Sequence, residues 1–457
     1  MVTVGGTTIG GLALVAIVVL SGVALIWAAT RWDRAWIVFV VALWMNGIAI
    51  SIDAFSVRPE QLAFVPLVLA IAKARRLEPG ARWRILAGGR QLAAVFLVVW
   101  FVLSVFSDLF VAVSPTASLF VLARMSLSII ALFAVFGVPA PQHELFRLAL
   151  RPLTVICLIS IAGWLLAQFA GVESALVSRE FGESVYRLRG FAFEPNIFGA
   201  MCVVWLAVAL YFRSHFVRSD WLGIASLGIC AILSATRTAW IVLAIIVGIA
   251  VFSGLKSVIR ALWVGAGLVT AALLSAYLFS SAVDLSSLLG YGESKAENLL
   301  ELGSGTGLFR SQTWELAWRQ IELGGNNLFM GFGNNSFTQQ NEGLVSESRI
   351  DYLSNAWVAH VYDSGWVAAI ALILSLYVIW TEAANRLAAI PLFVAVALCS
   401  SITNPLWFAF PWVCMALVAD RTRRPSVATQ EHVTGGRNGA TRVRDRLIAA
   451  RAGEVPL

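Results

Sequence analysis

The stretch QLAAVFLVVWFVLSVFSDLFVAV, residues 91–113, carries a single ionisable side chain, Asp108. As a helix it would extend roughly 34 Å at 1.5 Å per residue, enough to cross the roughly 30 Å hydrocarbon core of a bilayer. A surface helix of a water-soluble domain keeps a polar face opposite its apolar stripe, and this stretch has none. Comparable runs recur on both sides of it, near 8–29, 35–52, 58–73, 116–138, 150–171, 196–212, 220–236, 238–254, 259–282, 356–380, 384–401 and 403–419. The turns near Thr236 and Thr403 are also open to a re-entrant reading. The expected fold is therefore all-α: a polytopic integral membrane protein of about 12–14 transmembrane helices.

Composition agrees. Apolar residues make up 59% of the chain and charged residues 13%, where a soluble domain carries roughly 25% charge. The first run has no basic segment before it and is longer than a signal-peptide core, so it reads as the first span. The five cysteines all fall inside apolar runs without CxxC spacing, which suits packing rather than disulfides or a thiolate metal site.

Basic residues orient the chain. Eight arginines follow Asp420, and counting spans back from that tail puts Lys73–Arg90 on the same, inner side. By that count 23 of the 33 Lys and Arg residues lie inside. The net charge of +7 is then a signal of orientation rather than of nucleic-acid binding. Residues 1–420 form the expected membrane domain, and 421–457 a basic, disordered cytoplasmic tail. Two outer segments stand out by length, about 172–195 and about 283–355, the longer one expected to carry short helices.

The longer segment is acidic, with nine Asp and Glu against Lys295, Arg310, Arg319 and Arg349. Trp314, Trp318 and Ile321 recur at the spacing of one helix face, and Gly324-Gly325 is a suitable stop. The expectation is an amphipathic helix over Leu308–Glu322 on the outer surface, its tryptophans at headgroup level. Arg310 would lie in its first turn, either as a phosphate clamp or as an ordinary headgroup arginine. In the shorter segment Arg179, Arg187 and Arg189 meet Glu180, Glu183 and Glu194 just before Pro195 opens a span. A phosphate-binding patch and a surface ion cluster both fit that composition. Arg237 sits in the tight Ala235–Thr238 turn, as headgroup anchor or ligand contact. Arg124 and Asp108, at similar depth on neighbouring spans, are expected to form an ion pair.

Absences narrow the chemistry. The chain has no GxxxxGK[ST], no DxD, no HExxH and no other His/Cys ligand cluster. The Gly331-Phe-Gly333 pair is weak as a nucleotide motif. What remains is an outward-facing arginine set suited to an anion already anchored in the outer leaflet.

The order of these pieces resembles the bacterial O-antigen ligase and O-antigen polymerase superfamily. The resemblance covers roughly Tyr186 to Ala368. It rests on Arg187–Asn196 (RLRGFAFEPN), the Ser234–Ala239 hairpin, Ser304–Arg310 followed by Trp314, the Gly331-Phe-Gly333 turn, and Asn355 with Gly365 ten residues later. It implies an inner-membrane glycosyltransferase that uses an undecaprenyl-diphosphate-linked glycan on the periplasmic side, with no metal and no cofactor. Arg189 or Arg187, Arg237 and Arg310 would then bind the donor diphosphate, and Asn196, Trp314, Ser354 and Asn355 would contact substrate. Chain-length regulator and flippase proteins are implied partners, together with membrane lipids. Ligases typically carry a histidine directly before the Asn355 position; here it is Ser354, and His360 is more than a helical turn further on. The Arg-Gly-Phe-x-x-Glu-Pro pattern resembles the polymerases, with Glu194 as the implied base. A ligase, a lipid or solute transporter and a lipid-sensing scaffold stay as rivals.

The parity count predicts that cysteines introduced at Ser287 or Gln340 react with an impermeant maleimide from outside. Cysteines at Ala81 or Gly436 should react only after permeabilisation; outside labelling at Gly436 would invert the topology.

Overall fold

In a computed structural model of the chain, the described residues are 2–4, 7–8, 21–52, 55–76, 88–172, 174–179, 185–252, 305–324, 328–341 and 353–419. They are mostly helical: α1 (21–29), α2 (Trp32–Trp44), α3 (Pro59–Arg76), α4 (Gly89–Phe110), α5 (Pro115–Gly137), α6 (Gln142–Ala170), α7 (Pro195–Tyr211), α8 (Asp220–Leu233) and α9 (Arg237–Phe252) come first. After the segment 253–304 come α10 (Gly305–Leu323), α11 (Ser336–Gln340), α12 (Ala356–Ser364), α13 (Trp366–Thr381), α14 (Arg386–Ile402) and α15 (Ala409–Val418). The expected span at 259–282, the loop residues 283–304 and 342–352, the inner segment 77–87 and the tail 421–457 lie outside the described residues.

Helices α4, α5 and α6 are each long and apolar enough to cross a membrane. Their outward faces are apolar too: α4 exposes Val95, Val98, Phe101, Val102, Phe106 and Leu109. The inward faces pack around α7 and α15, and every residue from Ala409 to Val418 is buried. α13 runs along α4, α15 along α5, and α8 and α14 flank α7. Small residues allow the close approaches. A Cβ on Gly223 would stand 2.5 Å from Thr154 Oγ1, and one on Gly199 would stand 2.7 Å from Ser234 Oγ.

Helix ends sort into two groups. At one end Arg75 Nε donates to the Gly137 carbonyl, an Arg90 terminal nitrogen to the Ala419 carbonyl, and Gly89 N–H to Glu382. Arg147 pairs with Asp220 at 3.3 Å, and Trp36 Nε1 donates to the Leu145 carbonyl. These belong to the segments that the basic-residue count assigns to a single side. The other end gathers Asp108, Glu194, Asn334 and Thr403.

Several sequence expectations need correction. The run 35–52 is not one span: α2 stops at Trp44, and Ile48–Ile52 forms a strand, β3. Alternating isoleucines favour extended backbone, and Asn46 and Gly47 are committed to the 191–193 turn described below. β3 pairs with β1 (Val2–Val4) and β4 (Phe55–Val57), and β1 also with β2 (Thr7–Thr8). A second hairpin joins β5 (Val177–Arg179) to β6 (Tyr186–Leu188), so the fold is mainly rather than wholly α. The run 356–380 breaks at Gly365, whose φ of 84° ends α12 and starts α13 on a new axis. The run 403–419 is helical only from Ala409, after a 3-10 turn at Pro405–Trp407.

The α10 helix does not lie with its tryptophans free at a surface. Ala317 and Ile321 are buried in one cluster with Phe337 of α11, Leu353, and Val358 and Tyr362 of α12. Asp108 does not take Arg124 as its partner. Its carboxylate receives Asn334 N–H at 2.6 Å and Asn334 Nδ2 at 3.0 Å, while Arg124 lies in the field of Glu60.

Gly47 tests this packing. A Cβ there would stand 2.3 Å from the Ala192 carbonyl oxygen, a backbone atom that cannot rotate away. Gly47→Ala is expected to cost about 1–3 kcal/mol, read as a lower melting temperature in detergent. Gly171→Ala meets nothing within 4 Å despite a φ of 65°, and should cost about 1 kcal/mol.

Candidate functional site

The RLRGFAFEPN segment is held from several sides. β6 pairs with β5 in antiparallel register, Ser178 opposite Arg187, and Trp164 Nε1 donates to the Tyr186 carbonyl at 2.7 Å. The chain then turns sharply. Arg189 and Gly190 both donate their N–H groups to the Leu176 carbonyl, and Gly190 takes a φ of 54° with its α-carbon against the Phe198 ring. A side chain at Gly190 would meet that ring at 2.5 Å, which accounts for the glycine. Residues 191–193 dock on the end of α2: Gly47 N–H donates to the Phe191 carbonyl and Phe193 N–H to Asn46 Oδ1. The turn delivers Glu194 as the extended N-cap of α7, with Pro195 in the first turn.

Arg187 joins this segment to a distant hairpin. Its Nε donates to the Ser234 carbonyl at 3.2 Å, and one terminal nitrogen reaches Asn196 Oδ1 at 3.1 Å and Thr236 Oγ1 at 3.4 Å. Thr236 Oγ1 in turn donates to the Pro195 carbonyl at 3.2 Å. Arg237, half-buried, is the first residue of α9 directly after this contact. Arg187, Asn196 and Thr236 therefore form one unit, which Glu194 and Arg237 adjoin along the chain. Arg189 stands beside it with Nε on the Ala175 carbonyl, and no described residue engages its terminal nitrogens. Partial burial lowers its pKa from the ordinary arginine value.

A second unit contains Arg310, Trp314, Ser354 and Asn355. α10 begins at Gly305, so Arg310 falls in its second turn rather than its first, and its Nε is buried without an acceptor among the described residues. Trp314 Nε1 donates to Ser354 Oγ at 3.2 Å, one turn along α10. Asn355 caps α12, its Oδ1 accepting from Trp357 and Val358 N–H groups. Asn355 is thus an N-cap, which satisfies backbone donors that would otherwise be orphaned. The two units meet through α14. Trp357 Nε1 reaches Ser401 Oγ at 3.2 Å, and two residues on, Thr403 Oγ1 donates to Glu194 Oε1 at 3.5 Å.

The Gly331-Phe-Gly333 turn is a docking element. Phe332 and Gly333 donate their N–H groups to the Tyr362 and Asp363 carbonyls, and Gly331 N–H donates to Ser107 Oγ. A Cβ on Gly331 would lie 2.3 Å from the Asp363 carbonyl carbon. Both glycines serve backbone contact with α12 and with the end of α4, and the following Asn334 locks onto Asp108. His360 is buried edge-on to Trp100 with neither ring nitrogen bonded among the described residues. It belongs to the helix interface and not to the Glu194 unit.

Sequence reasoning missed Asn404, Arg58 and Glu60. Asn404-Pro405 inside an apolar run is a signal of broken helix, whereas Arg58 and Glu60 stand at the start of the run 58–73, where charges are ordinary. Among the described residues no group of three or more His, Cys, Asp or Glu could hold a metal. No protein-family model matches the chain, and no curated protein matches it.

The two arginine environments make opposite demands. Arg187→Ala removes a guanidinium that links three partners, so it should lower the melting temperature as well as any activity. Arg310→Ala removes a group whose Nε makes no hydrogen bond among the described residues, and should lower the melting temperature by less than Arg187→Ala does. Equal destabilisation by both would contradict this division.

Proposed function

We propose that this chain is a polytopic membrane glycosyltransferase that polymerises carrier-lipid-linked oligosaccharide repeats on the outer face of the bacterial inner membrane. The observation that carries the reading is the Arg187 contact set. It gathers the Arg-Leu-Arg-Gly segment, the Glu-Pro-Asn start of α7 and the Thr-Arg hairpin into one unit. Apolar outward faces on α4 and its neighbours support a lipid surround, because soluble proteins rarely expose contiguous apolar patches of that size.

In this reading Arg189, Arg237 and Arg310 receive the diphosphate of the donor, where guanidinium forks match phosphate oxygens. Glu194 faces the acceptor. The acceptor hydroxyl oxygen bonds to the donor's anomeric carbon as the bond from that carbon to the diphosphate oxygen breaks. The electron pair leaves with the undecaprenyl diphosphate, whose growing charge the arginines stabilise. The hydroxyl proton passes to the Glu194 carboxylate and from there to water. Asn196, Trp314 and Ser354 lie near these groups as substrate contacts.

Polymerase is favoured over ligase by the Ser354 environment. Its hydroxyl already accepts from Trp314, and serine offers no base at that position. His360 is sealed against Trp100 and does not substitute for it.

Purified protein given only the lipid-linked repeat is expected to make longer lipid-linked chains. Cells lacking the gene should retain single repeats. Glu194→Gln should reproduce that loss, with the rate down at least about 100-fold as expected for removal of a general base. His360→Leu should extend chains normally. Long carrier-linked chains in the deletion strain would point to the ligase instead.

A further inference from the structure

Behind Glu194 the chain runs through Thr403, Asn404 and the 3-10 turn Pro405–Trp407 to Phe408, between α14 and α15. Three polar side chains at or close to this turn are buried. Asn404, Glu60 and Arg58 are 1%, 5% and 8% exposed. Neither amide atom of Asn404 has a hydrogen-bond partner among the described residues, nor does Glu60 Oε2. The Arg58 guanidinium lies 4.3 Å from the Phe408 ring centroid. Arg58 and Glu60 lie in each other's field, with Arg124 close by. The turn is held in place by Ser128 Oγ on the Trp407 carbonyl at 3.4 Å and by Trp412 Nε1 on the Leu406 carbonyl at 3.0 Å. At its start the Thr403 hydroxyl donates to Glu194.

Native proteins leave few buried polar atoms unsatisfied, and each one calls for a partner. The chemistry of this set selects the partner. A phosphate or other anion offers acceptors only; it would suit Arg58 and the Asn404 amide nitrogen but leave Asn404 Oδ1 and repel Glu60. A ring bearing several neutral hydroxyls offers donors and acceptors together and can satisfy all of them. We propose that Arg58, Glu60, Asn404 and the Thr403–Phe408 turn form a saccharide subsite that takes a neutral, hydroxyl-bearing sugar and presents it to Glu194. This rests on the polymerase reading for its role, since there the sugar is the acceptor. These residues position the acceptor; Glu194 alone takes its proton.

The test uses the full chain in lipid nanodiscs and two probes. One is the free repeat oligosaccharide released by mild acid from the source cells' carrier-lipid fraction; the other is undecaprenyl diphosphate without sugar. Asn404→Ala, Glu60→Gln and Arg58→Gln are each expected to weaken oligosaccharide binding about tenfold, the scale of one lost hydrogen bond to a buried group. Stabilisation by undecaprenyl diphosphate should persist in all three and vanish in Arg237→Ala. In a chain-extension assay with labelled lipid-linked chains as fixed donor, the three variants should raise KM for single repeats while kcat stays within about threefold. Arg58→Lys should recover part of the affinity. Glu60→Gln and Asn404→Ser keep shape and cover the case in which a truncation fails to fold. Unchanged oligosaccharide binding in the folded variants, or none by the unaltered chain, would overturn the subsite. So would a common fall in kcat and melting temperature at constant KM, which marks a structural role or trapped water. Oligosaccharide binding by a chain that never extends lipid-linked repeats would instead retain the subsite and remove the polymerase.

Discussion

Wherever backbone leaves a helix inside this apolar bundle, its N–H and C=O groups lose their helical partners and have little water to replace them. The architecture depends on how those groups are satisfied. Asn46 accepts from Phe193 N–H, Asp108 from Asn334 N–H, Ser107 from Gly331 N–H, and Arg187 donates to the Ser234 carbonyl. Each is a side chain far away in sequence that completes a break in secondary structure. Break and partner thus depend on each other, and these contacts lie at the end of the bundle that holds Glu194.

The same requirement explains the glycines at the breaks. Gly47, Gly190, Gly331 and Gly333 each let one piece of backbone lie directly on another chain segment. A helix surface covered with side chains keeps its neighbour 8–10 Å from its axis, so an irregular turn can reach a helix end only where Cβ is missing. Rigid turns of this kind hold the charged residues of the proposed site in register without relying on the long side chains themselves.

The proposed chemistry draws on the contrast between engaged and unengaged polar groups. Arg187 and Asn355 are consumed by structure, one tying three segments and the other capping α12. The terminal nitrogens of Arg189, the Nε of Arg310 and the amide of Asn404 have no partner among the described residues. Groups of the first kind build the site, and groups of the second kind are available to a substrate. A motif match treats both kinds alike, and only their contacts separate them.

The amino-acid sequence alone determined the helical class, the approximate places of α4 to α9, and the sorting of basic segments to one end. Hydropathy and charge are local properties, and a run such as 91–113 carries its own instruction. It also singled out Arg187, Glu194, Arg237 and Arg310 as candidates, through their order and the resemblance it carried. The tertiary structure decided that Asp108 binds Asn334 and not Arg124, that α10 packs on α12, that the runs 35–52 and 356–380 break, and that Arg58 packs on the Phe408 ring. Those outcomes depend on contacts between residues tens to hundreds of positions apart. A pairing across such separations is set by the packing of whole helices, which no window of sequence contains.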